Sequence, residues 1–157
     1  MSSVRSSLLL GLAVVLTACA TTTGGASSTP ASSCPPSGTE VSFAKIMNPG
    51  FAEDYVGCSV TTKAAFVATG AGAWTFPFST DDKVIIRVLP PGVAGSKNPL
   101  SGEVQANYVA LPKEGSDAVF NLKPGDLVEL TGGTYVKDYG NFKNITFMAT
   151  SIAPANQ

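Results

Sequence analysis

The sequence predicts a small, mainly β domain. Five strands follow a short N-terminal helix, and a short helical turn precedes the fourth strand. Three observations lead there. Val, Ile, Thr and Phe alternate with polar residues over runs of six to twelve residues. Gly and Pro punctuate those runs at regular intervals. Helical spacing is confined to brief stretches, and the 157-residue length favours a single domain.

Taken in order, residues 1–7 carry a single positive charge at Arg5, and Leu8 to Leu16 (LLLGLAVVL) form an uncharged apolar run. Nine apolar residues are too few for a helix that crosses a bilayer, which needs about 20. A basic start and a short apolar core instead predict a signal peptide over residues 1–18. Residues 20–39 (ATTTGGASSTPASSCPPSGT) hold no charge and no large apolar side chain. They predict a flexible Ser/Thr/Gly/Pro tether over 19–39, with a root-mean-square reach of roughly 25 Å. The folded domain is expected over 40–157, with its packed part ending near Pro154. It is large enough to bury roughly 65% of its unfolded surface.

Within that domain, Phe43, Ile46 and Met47 share one helical face after Ser42 in the cap position, and Asn48-Pro49-Gly50 stops the run. Phe51 to Tyr55 adds a further turn. Cys58 to Thr69 reads as the first strand, with Val60, Thr62, Ala64, Phe66 and Ala68 on one face. Trp74 to Phe78 alternates as well, but Pro77 lacks an amide donor and demotes the segment to an edge or a loop. Lys83 to Leu89 is the most apolar strand. Glu103 to Leu111 is the third, Ser116 to Lys123 a helical turn ended by Pro124-Gly125, and Asp126 to Thr131 the fourth. Gly132-Gly133 and the polar Lys137 to Asn141 are read as the link to a fifth strand over Asn144 to Ile152.

Two resemblances add to this reading. Leu16-Thr17-Ala18-Cys19, directly after the apolar run, resembles the lipobox of bacterial lipoproteins. It implies cleavage between Ala18 and Cys19, a diacylglycerol on the Cys19 thiol, and anchoring by two or three acyl chains. Ala20 in place of Asp then implies the outer membrane, facing the periplasm, with the inner membrane and the cell surface as alternatives. The tract Leu122 to Gly132 resembles the entry to strand four of OB-fold domains, and Tyr55-Val56-Gly57 followed by Val60 resembles their entry to strand one. The fold so implied is a five-stranded OB-like barrel. An immunoglobulin-like sandwich is the alternative.

Composition narrows the chemistry. There is no histidine, which excludes His-based triads, His-ligated zinc and a histidine general base. The formal net charge is −1, and loss of Arg5 with the leader makes it −2. Such a balance attracts neither nucleic acid nor anionic lipid over long range. Cys34 and Cys58 are left as an even pair in an oxidising compartment. A bridge is expected, with two separate thiols as the other reading. Glu53-Asp54 and Asp81-Asp82 lack calcium-loop spacing and read as solvated turn charges. Ser42 with Lys45, and Ser96-Lys97, are weak candidates for a Ser-Lys hydrolase.

The functional expectation is therefore non-catalytic, with no metal and no cofactor beyond the lipid on Cys19. A lipid-anchored envelope module would bind a protein, peptide or glycan, with no nucleic acid expected and the membrane reached through the anchor. The alternatives are a structural or assembly scaffold and, third, a His-independent hydrolase. The candidate binding face gathers Trp74, Tyr108, Tyr135, Lys137, Tyr139, Phe142 and Lys143, since aromatic platforms in this fold stack on rings.

Overall fold

The computed structural model describes residues 34–72 and 74–155. The leader, the cleavage residues Ala18 and Cys19, and the tether up to residue 33 lie outside the described residues. Helix α1 spans Phe43–Ile46 and a 3-10 helix Ala52–Tyr55. The strands are β1 (Val60–Thr69), β2 (Lys83–Leu89), β3 (Asn107–Pro112), β4 (Leu127–Asp138) and β5 (Lys143–Pro154). A second 3-10 helix, Asp117–Asn121, lies between β3 and β4.

The strands close into one barrel in the order β1-β2-β3-β5-β4, with β4 returning to β1. Closure depends on β1. Its first half, Val60 to Ala65, pairs antiparallel with β4, and its second half pairs antiparallel with β2. A register shift between Phe66 and Ala68 bends the strand between these partners. Among the strand pairs only β3 with β5 is parallel. A single closed barrel sets aside the immunoglobulin-like sandwich, which needs two stacked sheets.

Period-2 alternation puts one side of each strand inside. Val60, Ala64, Phe66, Ile86, Val88, Val109, Leu111, Val128, Leu130 and Phe147 fill the interior. Phe43 and Ile46 of α1 join this core, and the Phe43 ring meets Phe147 edge-on at 6.2 Å between centroids. Ser42 occupies the cap position of α1, yet its hydroxyl makes no cap hydrogen bond.

Four expectations change. Residues 34–39, assigned by composition to the tether, lie against the barrel. Cys34 is disulfide-bonded to Cys58, 24 residues on, with Cα atoms 5.4 Å apart, and the Gly38 amide donates to the Ser59 carbonyl at 2.9 Å. The third strand begins at Asn107, because 103–105 pairs locally with the 96–98 segment. There the Asn98 amide donates to Glu103 O and the Gln105 amide to Ser96 O, both at 2.8 Å. The first strand starts two residues later than expected, at Val60.

The largest change is at β4, which continues through Gly132-Gly133 to Asp138. These glycines serve close approach in mid-strand. A Cβ on Gly133 would stand 2.5 Å from the carbonyl oxygens of Tyr55 and Cys58, and one on Gly132 would collide with the Met148 carbonyl.

Candidate ligand-binding face

The strand register lays one row of side chains across the outside of the barrel. Arg87 of β2 pairs with Tyr108 of β3, Tyr108 with Thr146 of β5, and Thr146 with Tyr135 of β4. Their chain neighbours Ile86, Val88, Val109 and Phe147 belong to the core, so Arg87, Tyr108 and Thr146 point outward, and Tyr135 shares their side through its pairing with Thr146.

The loop between β1 and β2 covers that row with three rings. Trp74 stacks on Tyr108 with centroids 5.9 Å apart and planes 16° from parallel. Phe76 meets Tyr108 edge-on at 5.3 Å, and Phe78 meets Tyr135 edge-on at 5.1 Å. Phe76 and Phe78 are themselves 5.2 Å apart, which completes a ladder from Trp74 to Tyr135. The loop's ends are tied: Gly70 N donates to Ile85 O at 2.7 Å and Lys83 N to Thr80 O at 3.1 Å. Among the described residues, no backbone hydrogen bond ties 75–78 to the sheet. Ring contacts hold that stretch in place.

Beneath the rings the polar atoms are incompletely partnered. Thr146 is fully buried and its Oγ1 has no hydrogen-bond partner, and neither has the buried Nε of Arg87. Arg87 Nη1 lies 3.3 Å from Glu103 Oε1, with side chains 13% and 48% exposed respectively. Gly72 allows the loop to pass this pair. Its φ is +59°, and a Cβ there would stand 3.4 Å from Glu103 Oε2. Burial pushes the Tyr108 phenol above its ordinary range, opposed by the nearby Arg87 guanidinium and reinforced by Glu103.

Of the candidates read from sequence, Trp74, Tyr108 and Tyr135 come together in this ladder. Tyr139 and Phe142 form a separate stacked pair, 4.9 Å between centroids, at the turn joining β4 and β5. Lys137 is exposed two residues beyond Tyr135 on the same side of β4. Lys143 is engaged elsewhere: its Nζ lies 2.8 Å from Glu53 Oε1, and that hydrogen bond raises its pKa.

Phe76 and Phe78 were missed by sequence reasoning. Trp74, Phe76 and Phe78 recur at a spacing of two, which in an extended segment places all three rings on one side. Pro77, by contrast, argues only against a strand.

The other sequence candidates find ordinary roles. Glu53 pairs with Lys143, Asp82 with Lys83, and the Asp81 carboxylate accepts from the Ser79 hydroxyl. The Ser96 hydroxyl donates to Gln105 Oε1, and Lys45 Nζ lies 5.7 Å from the centre of the Phe51 ring. Among the described residues no three of His, Cys, Asp and Glu are placed to hold a metal.

No family model matches this chain. No curated protein matches it either. Solved structures do. The S. pombe Stn1–Ten1 complex is 13% identical at a TM-score of 0.38, over 63% of this chain and 59% of that one. Yeast Stn1 and Ten1 give 12% and 0.43, over 76% and 81%. The dimeric N-terminal domain of PriB from Thermoanaerobacter tencongensis gives 15% and 0.37, over 63% and 97%. At these identities and TM-scores the likeness says nothing of what this chain binds or does.

The envelope reading, both as a module for protein, peptide or glycan and as a scaffold, is corrected: it rests on the leader, which lies outside the described residues. The partner set that left nucleic acid out is corrected with it. That omission rests on export from the cytoplasm and on net charge, and net charge is a property of the whole surface that says nothing about a local row of rings. The strand order, the parallel β3–β5 pair and the helical turn before β4 make this chain a five-stranded OB-fold barrel.

Proposed function

We propose that the protein binds single-stranded nucleic acid without chemistry, by stacking bases on the ladder from Trp74 to Tyr135. One observation carries this reading. Five aromatic rings, contributed by β3, β4 and the β1–β2 loop, form a continuous outer surface. In the OB-fold the surface around strands two and three, with the loops between strands one and two and strands four and five, is where oligonucleotides are received. Every base has a π face, so stacking of this kind tolerates sequence. The absence of histidine supports binding over catalysis.

Among the described residues Lys83, Arg87 and Lys137 lie on this side of the barrel, the first two paired with Asp82 and Glu103, so phosphate contacts are few. With two such contacts, log affinity should fall against log salt with a slope of about −1.4. The test is fluorescence anisotropy of a labelled oligodeoxythymidylate of roughly 12 nucleotides. The expected result is saturable binding that Trp74→Ala weakens about 10-fold. Absence of binding, or binding indifferent to both Trp74→Ala and Phe76→Ala, would overturn the reading.

Where the chain meets its ligand is a separate proposal, supported by the leader alone. The Leu16-Thr17-Ala18-Cys19 tract favours export and a lipid on Cys19. Membrane fractionation of Cys19→Ala tests it: the intact chain should leave the membrane fraction, and retention there would refute the anchor.

A further inference from the structure

A cavity of about 270 Å³ opens at the Trp74 end of the ladder, between the β1–β2 and β2–β3 loops. Trp74 and Tyr108 form its aromatic wall, and Arg87, Glu103, Asn98 and Gln105 supply its polar rim. We infer that this cavity is a slot for one guanine base. The inference rests on the reading of the ladder as a surface for single-stranded nucleic acid, and it adds a preference that stacking alone does not give.

The chemistry follows from the rim. Trp74 is 42% exposed, so part of its indole remains open beside the face stacked on Tyr108. The Arg87–Glu103 ion pair fixes a donor next to a carboxylate at 3.3 Å. Asn98 Oδ1 accepts the Leu100 amide at 2.8 Å and Gln105 Oε1 accepts the Ser96 hydroxyl at 2.9 Å. With their oxygens so engaged, both amides keep an NH2 group as a donor.

A carboxylate beside several donors matches the pairing edge of guanine. Its N1–H and N2–H are adjacent donors that one carboxylate accepts together, and its O6 is an acceptor for Arg87 or an amide NH2. Adenine and cytosine offer one donor beside an acceptor. Thymine offers one N–H between two acceptors, which sets a lone pair against the second carboxylate oxygen. The mismatched bases are therefore disfavoured by repulsion as well as by lost bonds.

The experiment compares three oligonucleotides of roughly 12 residues. One is all thymidine, one carries a single central deoxyguanosine, and one carries deoxyinosine there, which lacks only the N2 amino group. The deoxyguanosine strand should bind about 10-fold tighter than the all-thymidine strand. Deoxyinosine should lose most of that gain, and Glu103→Gln should bring the guanosine-to-inosine ratio close to one. If the thymidine strand binds and guanosine adds nothing, or if inosine equals guanosine, the slot is refuted while the stacking surface stands. If no strand binds, both are refuted.

Discussion

The barrel carries two sets of aromatic rings that differ in what lies beneath them. Phe43, Phe66 and Phe147 are inside, and their neighbours are the aliphatic side chains of five strands. Trp74, Phe76, Phe78, Tyr108 and Tyr135 are outside, over a row that includes Arg87 and Thr146. The inner rings exclude water from apolar surface, which is what a small domain needs for stability. The outer rings cover Arg87 Nε and Thr146 Oγ1, which lack partners, but Thr62 Oγ1 on the inner side of β1 lacks one too, so an unpartnered atom does not by itself separate core from site. The contrast lies in the rings themselves: the inner three are buried among aliphatic side chains, and the outer five form a continuous surface that reaches solvent at Trp74.

The sharpest break in that comparison is a pair of truncations. Phe147→Ala empties part of the core and should cost about 3–5 kcal/mol in denaturant unfolding, whereas Phe76→Ala, at a half-buried ring of the β1–β2 loop, should cost about 1 kcal/mol. Equal costs would mean the outer ladder is part of the core. Next in size is the disulfide, which ties residue 34 to the start of β1 beside the inner set. Replacing Cys34 and Cys58 by Ala should lower stability by about 3 kcal/mol in the chain-entropy account. It should leave oligonucleotide affinity nearly unchanged, and anisotropy against the unmutated protein checks that separation.

A smaller effect sharpens the outer set. Phe78→Ala removes the contact to Tyr135 and should weaken oligonucleotide binding by less than Trp74→Ala, which is the more exposed ring. The smallest concerns pH. Burial raises the Tyr108 phenol above its ordinary value near 10. The folded state therefore favours the neutral phenol, so its contribution to stability is complete below the ordinary value and is lost as pH rises through the raised one. Alkaline difference spectra should lose one late-titrating phenol in Tyr108→Phe.

Much of the fold was legible because its signals are local. Lys83 to Leu89 reads as a strand at both ends, since a continuous apolar run is bounded by turn residues. The short helix and the turn before β4 follow from spacing and from Pro124-Gly125. What stayed hidden depends on distant partners. Gly132-Gly133 looks like a turn until the backbone of Tyr55 and Cys58 is seen against it. Lys143 looks free until Glu53, 90 positions earlier in the chain, is found beside it. Glu103 to Ala106 alternates like a strand, but takes its partners from its own loop. For the site, three of five rings were legible, and the missing two flank a proline whose presence argued only against a strand.

The central claim is that the outer ladder is a surface for single-stranded nucleic acid, and Trp74 gives a direct measurement. It is the chain's single tryptophan and it stands at the end of the ladder. Intrinsic fluorescence titrated with unlabelled oligodeoxythymidylate should be quenched saturably as bases stack on the indole, while the duplex of the same length, its bases already stacked, should have little effect. Fluorescence that stays unchanged up to about 100 µM oligonucleotide, the range of weak non-specific binding, would contradict the account.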